Sequence, residues 1–412
     1  MPESQASPRP WTFQRLQSQF YLVARTFAIF AGSLLAIQYS KLLGPSNRGV
    51  INFVMLISIL GSELTLGSLN LSFRTRGGIN SRTDSQSELF RRISLIASAA
   101  LALFVLILTL IYSHTKEFVP TPLLVTIFLY SILSIGTHQL FEYILALHLI
   151  VIGAYFEVLA IASQIICYFV FYYYLNFSVA INVMLSLCAG YATVWCLFLI
   201  LTVRNPHLFV NKVKTSKSLN LISNAKVLTP QIFTISLIDR FDKLLIALFF
   251  SSAILGKYSL ATALIIVMRY VPDSVAKLLI ASRFEKFNFL ASSKYSKSAI
   301  LFLIVVPGFA FLNNSLVLKL LGKEWTFGIA IISVVLISEA LRHALVLKLN
   351  LQITQGQSQI SWKTPSLFVL TFFAGAFILK GYIGLIAIPT MASICYAFLL
   401  LRKTKLRMTL GQ

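Results

Sequence analysis

Charged side chains set in the middle of long apolar runs are the residues of this sequence with chemistry to offer. The densest group is Asp239-Arg240-Phe241-Asp242-Lys243, in which Asp239 and Lys243 stand four apart and share one face of a helix. Glu339, Arg342 and His343 repeat the arrangement at spacings of three and four, while Arg269 and Asp273 bracket Pro272. A proline removes a backbone donor and kinks its helix, which frees carbonyls for a cavity to use. Glu63, Glu142, Glu157, Arg25, Lys277 and Lys348 complete the set, so more than half of the 13 acidic residues lie in apolar surroundings. An ionised group at the centre of a membrane helix costs about 2.5–3.5 kcal/mol on insertion scales and must face a partner or a polar cavity. Two chemistries fit. Either the charges neutralise one another as structural ion pairs, or a carboxylate among Glu63, Asp239, Asp242 and Glu339 takes a proton or cation while a neighbouring arginine holds an anion. Spacing alone leaves both open.

The elements that must position these groups are helices crossing a bilayer. Apolar runs of the length that spans a membrane as helix fall at about 20–40, 50–72, 93–113, 122–146, 151–175, 179–203, 227–250, 258–280, 299–318, 327–352, 365–380 and 382–401, with Gly381 between the last two. Of the 412 residues 57% are hydrophobic and 12% charged, and the mean hydropathy is +0.82. A water-soluble domain needs a charged shell of roughly a quarter of its residues, so the missing surface faces lipid. The expected fold class is an all-α integral membrane protein of about twelve transmembrane helices.

The net charge of +22 would suit a nucleic-acid binder, but its placement excludes that reading. Clusters such as Arg74, Arg76, Arg82, Arg91 and Arg92, or Lys212, Lys214 and Lys217, sit between apolar runs and lack interleaved aromatics. Assigned alternately to the two sides of a membrane, one set of loops holds about threefold as many Lys and Arg as the other, whose members include Lys41, Arg48 and Lys257. The positive-inside rule then puts both termini in the cytoplasm. The polar stretch 204–226 divides the chain into 20–203 and 227–401, flanked by a cytoplasmic segment 1–19 and a basic tail 402–412. Gly49-Val-Ile-Asn-Phe and Gly256-Lys-Tyr-Ser-Leu, 207 positions apart, share their phrasing, as related halves would.

Other chemistries lack their residues. Cys167, Cys188, Cys196 and Cys395 lie in apolar segments without metal-ligand or redox spacing. No P-loop, nucleophile motif or metal-ligand set is present, so neither a catalytic residue nor a cofactor is expected. The apolar run after residue 19 is too long for a signal-peptide core and should remain as the first span.

Lys41-Leu-Leu-Gly-Pro-Ser-Asn-Arg-Gly-Val resembles the polysaccharide-export and O-antigen flippases of the multidrug/oligosaccharidyl-lipid/polysaccharide (MOP) exporter superfamily. Ile238-Asp-Arg-Phe-Asp-Lys-Leu-Leu-Ile, Leu255-Gly-Lys-Tyr-Ser-Leu-Ala and Leu320-Leu-Gly-Lys-Glu-Trp follow in the family's order and cover most of the chain. In that family an acidic residue and an aromatic are more usual than Ser46-Asn47-Arg48 after Gly44-Pro45. The resemblance implies two six-helix lobes around a central cavity that opens alternately to the two sides. It implies as cargo an undecaprenyl-pyrophosphate-linked oligosaccharide, with a polysaccharide polymerase and membrane lipids as partners, in a bacterial inner membrane. Arg25, Arg240, Arg269 and Arg342 are the candidate pyrophosphate ligands, because a guanidinium offers two aligned donors and stays charged when buried. A cation-coupled multidrug antiporter, which would favour an acidic cavity, and a membrane polymerase or glycosyltransferase, which would need a long exoplasmic loop, are the competing readings.

Overall fold

The computed structural model describes residues 11–80, 84–116, 119–146, 149–175, 177–205, 219–263, 314–354 and 362–401, and the regular structure among them is helical. In lipid every backbone N–H and C=O must be satisfied within its own segment, and the helix does this for apolar runs of this length. We label the helices α1 (Trp11–Asn80), α2 (Asp84–Thr115), α3 (Thr121–Ala146), α4 (Ile150–Tyr174), α5 (Val179–Arg204), α6 (Leu219–Phe249), α7 (252–263), α8 (314–321), α9 (Ile329–Thr354), α10 (Lys363–Ile383) and α11 (Ala387–Leu401). Hydroxyls inside the spans turn back onto the carbonyl four residues earlier, as at Thr109, Ser131, Thr193 and Thr234, which is how a polar side chain is tolerated on a helix in lipid.

Two connections differ from the sequence expectation. The stretch 41–49 is no loop: Gly44 alone breaks α1, at φ 70 and ψ 166, and Pro45 starts the second arm. A left-handed φ suits glycine, and a proline is preorganised for the first helical position, where its missing N–H is no loss. The two arms fold back on each other, since Ala28, Gly32 and Tyr39 before the break and Arg48, Asn52 and Leu56 after it wall one cavity. Arg48 therefore leaves the set of outside loop charges. It lies in the first turn of the second arm and is only 6% exposed. At the other end of the chain, Gly381 is helical and the break falls at Gly384, which takes φ 57 and caps α10 before a short 3-10 turn. Most of the expected spans 258–280 and 299–318 lies outside the described residues.

α1 to α5 pack as one group, with α4 running along α5, while α6 packs along α1 and α9 along α11. Small residues make the tightest approaches. A side chain at Gly190 would meet the Ala160 carbonyl at 2.7 Å, which holds α5 against α4. The largest buried cluster is continuous from Ile51 and Val54 on α1 through Ile238 and Leu245 on α6 to Leu336 on α9 and Tyr396 on α11.

Candidate functional site

A cavity of about 520 Å³ opens where α1, α4 and α5 face α6 and α7. Its charged lining residues are Arg48, Glu157, Arg240 and Lys243, and Tyr39, Asn52, Gln164 and Tyr191 add hydroxyls and amides. The small residues Ala28, Gly32 and Ala36 on the first arm of α1 form part of the same wall and leave it open.

Arg240 crosses from α6 to the second arm of α1. Its Nη2 donates to Glu63 Oε1 at 2.8 Å and its Nε to Oε2 at 3.3 Å, a two-pronged pair that spans the cavity's edge. Both side chains remain partly exposed, at 17% and 21%, so water screens the pair and it contributes little more than a surface ion pair would.

Arg48 is held differently. Its Nε is buried with no hydrogen-bond partner, and among the described residues it forms no ion pair. A buried cation that lacks a carboxylate is costly and is not retained for stability. Sequence reading missed it because the short polar phrase 41–49 looked like a loop. The signal was Pro45, since a proline at the first helical position puts Arg48 one turn inside the next helix.

Asp239, Asp242, Glu339, Arg342 and His343 form a second cluster, away from the cavity wall. Arg342 on α9 is 2% exposed. Its Nη1 donates to the Asp239 carbonyl at 2.7 Å, its Nε stands 3.7 Å from Asp239 Oδ1, and it pairs with Glu339 one turn earlier. His343 Nε2 lies 3.4 Å from the same Glu339 carboxylate. Tyr258 donates to Asp242 Oδ2 and Tyr396 to the Ile238 carbonyl, each at 2.7 Å. The cluster thereby ties α6, α7, α9 and α11 together. Removing one partner of a buried ion pair costs about 3–5 kcal/mol, so Arg342→Ala should sharply lower abundance and melting temperature. Parental abundance would show that the cluster does not brace these helices.

Of the expected pyrophosphate ligands, then, Arg240 stands at the cavity and Arg342 does not. Arg25 lies on α1, but its side chain is outside the description, and Arg269 with Asp273 lies outside the described residues. Among the carboxylates expected to couple ions, Glu63 is Arg240's partner, and Asp239, Asp242 and Glu339 share the Arg342 cluster. Tyr191 lines the cavity, whereas Tyr172, Tyr173 and Tyr174 are exposed at the end of α4.

No family model matches the chain, and neither does any curated protein. Solved structures do match. The lipid II flippase MurJ in an inward closed conformation aligns over 92% of this chain and 86% of its own, at 12% identity and a TM-score of 0.62. An outward-facing multidrug resistance MATE family transporter of the MOP superfamily covers 93% of each chain, at 12% identity and a TM-score of 0.57. A MOP superfamily transporter from Pyrococcus furiosus covers 94% of each, at 12% identity and a TM-score of 0.52. At such identity the likeness is one of fold. The chain is a multi-pass membrane protein with the two-lobed architecture of these transporters, and the cavity lies between its lobes.

Proposed function

We propose that the protein is a flippase that carries an undecaprenyl-pyrophosphate-linked oligosaccharide across a bacterial inner membrane by alternating access, for the assembly of a surface polysaccharide. The observation that carries this reading is the sign of the interlobe cavity. Three cations, Arg48, Arg240 and Lys243, line it against one carboxylate, Glu157, and Arg48 has no acidic partner among the described residues. A pyrophosphate gives up strong hydration on entering such a cavity, and fixed guanidinium donors are what replace that hydration. Tyr39, Asn52, Gln164 and Tyr191 suit the weaker hydrogen bonding of sugars. The lipid II flippase among the structural neighbours supports a lipid-linked cargo.

In this reading Arg48 receives the pyrophosphate. Arg240 joins it by exchanging Glu63 for a phosphate oxygen, which loosens one tie between the lobes. Asp239, Asp242 and Glu339 serve as the site where a proton or cation enters, because α6 carries both Asp239 and Arg240 and transmits a shift from one cluster to the other. Arg25 and Arg269 remain proposed ligands on the same grounds as in the sequence. Both termini are taken as cytoplasmic, with a polysaccharide polymerase as partner on the far side.

The multidrug reading draws on the MATE neighbours, but a drug cation would have to enter a cavity whose formal charge is already positive. Deletion of the gene is expected to stop surface glycan assembly while lipid-linked repeat units accumulate on the cytoplasmic leaflet, measured by extraction and mass spectrometry. Normal surface glycan in a strain with no second flippase would reject the assignment, and a changed drug tolerance in its place would favour the antiporter.

A further inference from the structure

A second cleft, between α2, α3 and α5, takes no part in the proposed transport cycle. It has a volume of about 460 Å³ and an apolar wall that includes Leu95, Leu140, Trp195 and Phe198. Polar groups interrupt that wall. Ser94, Ser98 and Gln139 line it and are each more than nine-tenths buried. Ser94 Oγ, Ser98 Oγ and Gln139 Oε1 nevertheless have no hydrogen-bond partner. Other hydroxyls on α2 and α3 satisfy themselves on their own backbone, as Thr109 and Ser131 do. Ser94 and Ser98, one turn apart on α2, do not. A buried hydroxyl left unpaired is costly, which points to a ligand with acceptors at that place.

The depth of the cleft indicates which ligand. The apolar stretch of α2 begins at Arg92, and the stretches of α3 and α5 end at Ile144 and Arg204. Ser94 and Tyr143 therefore lie at one membrane surface, where tyrosine is at home and the ester carbonyls of phospholipids reside, while Trp195, beside Gly136, lines the deeper part of the cleft. Arg92 is exposed and stands one helical turn before Leu95 on the same face. We propose that this cleft binds one anionic diacyl phospholipid of the adjoining leaflet. An acyl chain fills the apolar wall, the Ser94 and Ser98 hydroxyls donate to ester carbonyls, and Arg92 faces the phosphate.

The test uses the full-length protein in detergent, titrated separately with phosphatidylglycerol, phosphatidylethanolamine and undecaprenyl phosphate, with retained lipid read by native mass spectrometry. Wild-type protein should retain one phosphatidylglycerol in preference to phosphatidylethanolamine. Ser94→Ala combined with Ser98→Ala should weaken retention roughly tenfold, the worth of two net hydrogen bonds. Arg92→Gln should erase the preference between headgroups, and Ala99→Trp, which fills the cleft from its rim, should abolish retention. If Ala99→Trp fails to fold, the double alanine variant still decides, since it removes only two oxygen atoms. Unchanged retention in the double variant, or selective retention of undecaprenyl phosphate, would overturn the proposal.

Discussion

Arg48→Gln is expected to stop export of the lipid-linked unit while leaving the protein at least as abundant and as heat-stable as its parent. Most buried arginines would behave in the opposite way. Arg342, locked between Glu339 and Asp239, is part of a neutralised cluster, and its loss strands carboxylates in a dry interior. Arg48 is just as enclosed, with 6% exposure, but its Nε has no hydrogen-bond partner and no carboxylate pairs with it among the described residues. Deleting its charge strands nothing and relieves a desolvation cost. A residue that costs stability where it stands is retained for what it binds, and a loss of function with a gain in stability is the signature of such a site. Arg48→Lys should recover only part of the activity, because an ammonium cannot reproduce the two-donor fork. Export is read as surface glycan per unit of protein, and stability as melting temperature in detergent. Full export by Arg48→Gln would remove Arg48 as an anion ligand, and a fall in stability would show a structural partner instead.

The contrast between the two arginines also shows what the sequence made legible. Length and hydropathy were enough for the helices among the described residues, because the bilayer leaves a backbone few options. The density of charge in the seventh and tenth spans correctly marked a polar interior. Which member of each cluster faces a cavity depends on how helices rotate against one another, and residue spacing carries no information on that. Asp239 and Arg240 are adjacent in sequence, yet one joins the Arg342 cluster and the other reaches across to Glu63. Arg48 was hidden for a local reason: a single glycine makes the turn at Gly44, so a phrase that reads as a loop is mostly helix.

Gly49→Leu and Gly256→Leu are each expected to abolish export, and by the same amount. A Cβ at Gly49 would lie 1.9 Å from the Ser252 carbonyl oxygen, and one at Gly256 would lie 2.1 Å from the Pro45 carbonyl oxygen. The two contacts are copies of each other, because Gly49 and Gly256 are 207 positions apart and so are Pro45 and Ser252. A contact that maps onto itself under the internal repeat is what two related halves make across a two-fold axis. It brings the first turn of the second arm of α1 against the first turn of α7, beside Arg48, where the lobes touch at one end of the cavity. An alternating-access cycle must part this crossing and remake it. A leucine there cannot be accommodated by rotamer choice, since backbone is what it meets. Overpacking of about 1–3 kcal/mol is comparable to the few kcal/mol that separate conformers of such a protein, enough to hold the lobes apart and end the cycle. The converse is also measurable. Ser46 Oγ and Ser252 Oγ are 3.0 Å apart across the crossing, so Ser46→Cys with Ser252→Cys, in a background where the four native cysteines are replaced, should form a disulfide under mild oxidation. That bond should arrest export and its reduction should restore it. Export that continues through the cross-linked form would mean that the lobes do not separate here during transport.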